Sequence, residues 1–292
     1  MQLGLHALGI GVGADRAVID AVASAADEAG FATLWAGEHV VMVDRPTSRY
    51  PYSDDGAIAV PADADWLDPM ITLGFAAAAS SRIEVATGVL LLPEHNPVVV
   101  AKQSASLDRL SGGRLTLGVG IGWAREEFAA LGVPFEQRAA RTTEYVAAMR
   151  TLWREDVASF TGKFVAFDSV RVNPKPVRDR HLPVMVGGNS DAALARVAAW
   201  GDGWYGFNLD GVAGVCERVG TLERLCAESG RDRQELRLSV ALRNPQASDV
   251  AVLANLGVDE LVLVESPPED ADAVAHWASA LADYWLPAVQ VR

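Results

Sequence analysis

Short apolar segments alternate with helix-patterned segments along almost the whole chain, and this alternation constrains the fold more than any other feature. The apolar segments fall at residues 3–8, 31–38, 83–92, 114–120, 183–186, 203–207, 236–242 and 261–264. Helical spacing marks 15–29, 69–79, 97–110, 125–131, 138–154, 191–200, 212–228, 247–256 and 270–286. The strands are rich in Val and Leu without polar alternation, as parallel strands covered on both faces should be. Eight such units predict a (β/α)8 TIM barrel with insertion segments, one domain over 1–292. A doubly wound open sheet is the rival, but Gly9-Ile10-Gly11-Val12-Gly13 lacks the Gly-x-Gly-x-x-Gly spacing of its phosphate turn. Local signals agree. Asp15 is placed to cap a helix that Gly30 ends, and Ser111-Gly112-Gly113 stops another.

Two stretches break the rhythm. Residues 43–65 are rich in Pro, Asp, Ser and Tyr and read as a loop insertion, either a lid over the pocket or a subunit contact. Residues 157–177 form a second insertion, where Phe160-Thr161-Gly162-Lys163-Phe164 predicts a hairpin turn followed by an extended piece.

Lys and Arg number 25 against 38 Asp and Glu, a net charge of −13. Phosphate backbones and anionic lipid surfaces require clustered cations, so neither nucleic acid nor membrane is an expected partner. No apolar run approaches the roughly 20 residues of a membrane span, and the N-terminus lacks a signal-peptide pattern, which predicts a cytoplasmic location. Cys216 and Cys226 share a helix at a separation that excludes a disulfide, and read as buried free thiols.

In a barrel, chemistry gathers at the C-terminal strand ends. Glycines crowd two of these ends, at Gly120 and Gly122 and at Gly187-Gly188-Asn189-Ser190, and glycine admits a ligand close to the backbone. The second turn opens a helix, whose free N–H groups suit a phosphate. An ordinary cap by Asn189 or Ser190 explains the same residues. His39, after Glu38, is either an acid or base near neutral pH or a loop-stiffening residue. His6, inside an apolar strand, reads as core. His95 reads as structural or as part of the pocket rim. Glu126-Glu127 read as a solvated face or caps. No His or Cys spacing suggests a metal.

The run Ala86-Thr87-Gly88-Val89-Leu90-Leu91-Leu92-Pro93, then Ser106-Leu107-Asp108-Arg109-Leu110-Ser111-Gly112-Gly113-Arg114, then Leu117-Gly118-Val119-Gly120-Ile121-Gly122-Trp123 with Glu127-Phe128, resembles the luciferase-like monooxygenase superfamily. Trp35-Ala36-Gly37-Glu38-His39 and Tyr50-Pro51-Tyr52 extend the likeness, which is greatest to the actinobacterial oxidoreductases that use the deazaflavin coenzyme F420. The resemblance implies a homodimer, a cis peptide at Gly88–Val89 under the coenzyme ring, and contacts from Glu38, His39, Val119 and Gly120. It implies that Gly187, Gly188, Asn189 and Ser190 form the phosphate turn, with His39 the catalytic residue near the ring. Relatives that oxidise sugar phosphates carry Glu where this chain has Ile121. With Trp123, Phe207 and Tyr52 near the site, an apolar or planar small substrate is expected. Lys175, Arg178 and Arg180 are expected to meet the acidic coenzyme tail. The readings left standing are an F420-dependent oxidoreductase, an FMN-dependent monooxygenase, and a flavin- or deazaflavin-binding protein without turnover.

Overall fold

The computed structural model describes residues 1–290, and in it eight parallel strand positions close on themselves. In chain order the strands are β1 (Gln2–His6), β2 (Thr33–Ala36), β3 (Glu84–Thr87) with its short continuation β4 (Leu90–Leu91), and β5 (Leu115–Gly120). They continue, after a hairpin of β6 (Ala158–Thr161) and β7 (Ala166–Val170), with β8 (Val184–Gly187), β9 (Gly203–Leu209), β10 (Arg237–Leu242) and β11 (Glu260–Val264). β1 pairs with both β2 and β11, and β3 pairs with β5 through Val85 and Leu115, which closes the ring. This is the (β/α)8 barrel that the alternation predicts.

The helices start and stop where their end residues dictate. The Asp15 carboxylate accepts from the N–H groups of Ala17 and Val18 and opens α1 (Arg16–Ala29), which Gly30 ends at a φ of 93°. Asp68 and Asn96 cap α2 (Pro69–Ala78) and α3 (Pro97–Ser111), each with proline at the first helical position, where no N–H is needed. The outer ring continues with α4 (Arg125–Ala130), α5 (Arg138–Arg154), α6 (Asp191–Trp200), α7 (Gly211–Ser229), α8 (Asp249–Asn255) and α9 (Ala271–Gln290). The main apolar core lies between strands and helices. A smaller cluster of Trp35, Ala86, Met185, Tyr205, Ala241 and Val262 fills the barrel interior.

The stretch 83–92, read as one strand, is two. A cis peptide at Gly88–Val89 interrupts it. Glycines on the neighbouring strands make room for the interruption. A Cβ on Gly120 would lie 2.6 Å from Val89 Cγ2, one on Gly187 2.7 Å from Val89 Cγ1, and one on Gly118 2.1 Å from the Thr87 carbonyl oxygen. The glycine density at these strand ends therefore serves strand packing first, where ligand access was the expectation.

Residues 158–170 form the antiparallel hairpin, whose turn is gathered by Glu144 of α5 through the N–H groups of Lys163, Phe164 and Val165. Cys226 is buried but Cys216 is exposed on α7, against the expectation of two buried thiols. Among the described residues no helix is long and apolar enough to cross a membrane.

Candidate active site

A cavity of about 410 Å³ opens at the C-terminal ends of the strands. Its floor is made by His6 and Tyr205 with Gly37, Gly88 and Val89, and one side by Gly187 and Gly188. Tyr50, Tyr52, Ile58, Val60 and Trp66 of the 43–65 region and its flank cover it, and Trp123 and Phe207 complete an aromatic wall. The size and lining suit a small planar organic molecule. Trp123, Phe207 and Tyr52, the expected substrate-pocket residues, all line it.

His39 is held from both sides. Its Nδ1 lies 2.8 Å from Glu127 Oε2, and the other Glu127 oxygen accepts from the Val40 N–H at 2.7 Å and the Val41 N–H at 3.3 Å. A carboxylate only accepts, so the imidazole proton sits on Nδ1 and Nε2 is left as an acceptor on the cavity side. Trp123 Nε1 approaches that nitrogen at 3.4 Å, and the rings of Trp66 and Trp123 meet the imidazole edge-on at 4.9 and 5.7 Å. Glu127 is fully buried. This overturns its reading as a solvated acid: the first turn of α4 points Glu127 inward while Glu126 faces the lid. A carboxylate absent at Ile121 is thus present from α4, on the far side of the histidine.

Glu38 borders the cavity, but its carboxylate is engaged inside the protein. One oxygen accepts from the Leu91 N–H at 2.6 Å, and the other lies 3.0 Å from His95 Nε2. It fastens β4 and the turn behind it, so the carboxylate is not free to face the cavity. The His95 imidazole is desolvated, yet Glu38 outweighs that and raises its pKa. Nearby Glu94 is 8% exposed and neither of its oxygens has a hydrogen-bond partner. Burial, then the charges of Glu127 and Glu38, push its carboxyl up to about 9.

Val119 and Gly120 are buried in β5 behind Val89 and do not border the cavity, so the backbone contacts expected of them are screened. At the glycine turn, the Gly188 N–H donates to the Tyr205 carbonyl at 3.3 Å. The Asn189 side chain clamps the end of β9, donating to the Phe207 carbonyl at 2.7 Å and accepting from the Phe207 N–H at 3.2 Å. Ser190 Oγ accepts from the Ala193 N–H as the N-cap of α6. Both side chains are therefore engaged within the protein, Ser190 as the cap that the sequence also allows, and of this turn Gly187 and Gly188 border the cavity.

Lys175, Arg178 and Arg180 lie at the opposite end of the barrel. Arg178 pairs with Glu84, the first residue of β3, at 3.3 Å. Lys175 donates to the carbonyl of Leu152, and Arg180 bonds Asp156 at 2.8 Å. Residues just before β8 emerge at its N-terminal end by construction, so they are remote from the mouth. Among the described residues no Lys or Arg borders the cavity. Two cations stand behind its lining: Arg196 of α6, whose charge lies beside Tyr52, and Arg218, which donates to the Asn189 carbonyl at 3.3 Å.

The cover is latched at several points. Glu126 Oε1 accepts from the Thr47 N–H and hydroxyl, both at 2.6 Å, and from the Ser48 N–H at 3.1 Å. Asn208 Nδ2 donates to the Tyr52 carbonyl at 2.7 Å, and Trp66 Nε1 to the Gly37 carbonyl at 3.1 Å. Ring contacts run from Phe207 through Tyr52 and Tyr50 to Trp123. Trp66, Tyr205 and Glu127 escaped the sequence reading. Trp66 and Glu127 stand outside the strands, and Tyr205 lies inside an unbroken apolar run.

The family description of luciferase-like monooxygenases matches residues 6–251. An uncharacterized protein of Mycobacterium tuberculosis is 36% identical over 270 residues, covering 92% of this chain and 94% of that one. An FMNH2-dependent dimethylsulfone monooxygenase of Pseudomonas putida is 31% identical over 183 residues, covering 61% of this chain and 50% of that one. An F420-dependent secondary alcohol dehydrogenase, solved with an F420–acetone adduct, superposes with a TM-score of 0.77 at 18% identity, covering 99% of both chains. The closed barrel and the long family match agree, and the chain belongs to the luciferase-like monooxygenase family of oxidoreductases.

Proposed function

We propose that the protein is an F420-dependent oxidoreductase that moves hydride between the deazaflavin and a small apolar or planar organic substrate. The observation that carries this reading is the cavity itself: a glycine-floored, aromatic-walled slot with the His39–Glu127 pair on one side. Gly37, Gly88, Gly187 and Gly188 border the cavity without side chains, which lets a flat ring approach the backbone. When bound, the deazaflavin supplies hydride transfer at a ring carbon. His39 holds or moves a proton at Nε2 while Glu127 keeps Nδ1 protonated. Gly187 and Gly188 admit the coenzyme's chain, and the first turn of α6 favours its phosphate. The Tyr50–Tyr52 cover excludes water, and a lining that holds no Lys or Arg among the described residues disfavours anionic substrates. The F420-dependent neighbour's equal length supports this choice of coenzyme.

The dimethylsulfone monooxygenase relative favours a second reading, an FMN-dependent monooxygenase on the same site. Fluorescence titration with oxidised F420 and with FMN separates the two. Micromolar F420 binding with weak FMN binding supports the first reading. Tight FMN binding alone supports the second, and binding of neither sinks both. A homodimer in the cytoplasm accords with the family likeness, and sedimentation of the purified chain tests the dimer.

A further inference from the structure

His6 is the last residue of β1, and only 8% of it is exposed, into the cavity that it lines. Its Nδ1 lies 3.1 Å from the Tyr205 hydroxyl, which is buried on β9 with its ring stacked on Trp35 at 4.4 Å. β1 and β9 are not neighbours, so the two side chains meet across the barrel interior, and the partners open to each group set the direction. Burial holds the Tyr205 phenol far above its ordinary pKa, so it keeps its proton, and among the described residues His6 Nδ1 is the one group within reach to accept it. Burial pulls the His6 imidazole down to about 4, so it is neutral and accepts at Nδ1. Its single proton then lies on Nε2. Among the described residues Nε2 has no hydrogen-bond partner, and two glycines leave that edge of the ring uncovered. A Cβ on Gly37 would stand 3.4 Å from Nε2, and one on Gly88 3.4 Å from Cε1.

We propose that His6 Nε2–H, locked as a donor by Tyr205, is a subsite for the carbonyl oxygen of an uncharged ligand in this cavity. A neutral donor in an apolar lining pairs best with a neutral acceptor. A carboxylate is opposed by Glu265, which borders the same cavity, and by a lining that holds no Lys or Arg among the described residues. The subsite is separate from the His39–Glu127 pair and presents the complementary group: a donor at His6, an acceptor at His39. The inference rests on the reading of the cavity as a substrate site.

Acetophenone and its isostere α-methylstyrene, which lacks the oxygen, are the probes, titrated calorimetrically into the full-length protein. His6→Met should weaken acetophenone about three- to tenfold, the range for one neutral hydrogen bond, and leave α-methylstyrene within twofold. Tyr205→Phe should do the same, and His6→Gln, which keeps a donor near Nε2, should recover the ketone. In the ¹⁵N-labelled native protein, His6 should show the neutral Nε2–H form from pH 5 to 9. Equal losses for both probes, no ketone loss, or the Nδ1–H form would overturn the proposal. Coenzyme titration of the same variants is independent: failure of the native protein to bind F420 or FMN would sink the coenzyme reading and leave the ketone result standing.

Discussion

Glu127 Oε2 stands 2.8 Å from His39 Nδ1, joining α4 to the end of β2 across 88 residues of sequence. The same carboxylate fixes the backbone of Val40 and Val41. One buried acid therefore sets both the tautomer of the pocket histidine and the path of the loop that leaves it. Replacing it as Glu127→Gln keeps an acceptor for the loop but removes the obligatory acceptor at Nδ1. Turnover should fall about a hundredfold, within the range of a misplaced acid or base, with coenzyme affinity changed less than threefold. Steady-state kinetics beside coenzyme titration checks this. A matching loss of coenzyme affinity would mean that Glu127 only shapes the pocket.

Val89 occupies the space that Gly187 leaves. A methyl group on Gly187 overlaps Val89 Cγ1 at 2.7 Å, so Gly187→Ala should lower stability by about 1–3 kcal/mol through overpacking. Val89→Ala removes the obstructing carbons, so the double variant should be more stable than the sum of the two single losses requires. Urea denaturation of the four proteins measures the coupling. Strict additivity would place the cost of Gly187→Ala in the backbone alone.

The barrel was readable because its signals are local and repeated. Apolar strands, Asp15 and Gly30 around α1, and Asn96-Pro97 opening α3 each act within a few residues. The cavity wall was partly readable, since strand ends locate His39, Val89 and Gly187 directly. What escaped depends on distance in sequence. Nothing near Glu127 announces that its partner is His39, and adjacent Glu126 carries the same letter but is only half-buried against the cover. Asn189 and Ser190 allowed both a cap and a phosphate turn, because the two share the same residue types. His6 looked like core because an apolar strand does not reveal which face lines a cavity.

The cover over the cavity hangs on Glu126. Hydrogen bonds from Thr47 and Ser48 pull its carboxyl down to about 2, so the latch is charged at every pH at which the protein works. Glu126→Ala should free residues 43–65 without touching the barrel. Proteolysis within that loop should accelerate several-fold, while the thermal midpoint of the barrel stays within about 1 °C, as for a half-buried site outside the core. An unchanged cleavage rate would show that Asn208 and Trp66 hold the cover by themselves.

Glu94 gives a pH test with a definite sign. Its folded value of about 9 lies above the ordinary 4.5, because burial and then Glu127 and Glu38 oppose its charge. The native state therefore retains a proton that the unfolded chain releases between these values. Its contribution is complete below pH 4.5 and is lost as pH rises toward 9. Glu94→Met keeps the length of the side chain and removes both unpartnered oxygens. At pH 8 the variant should be more stable than the native protein by about 1–3 kcal/mol, the penalty of an unsatisfied buried polar group. At pH 5 that advantage should shrink, since the native carboxyl is then protonated in both states to a greater extent. Urea denaturation at the two pH values decides it. An advantage of the same size at both would assign the effect to packing against Gly122 and Phe128, with no part played by the proton.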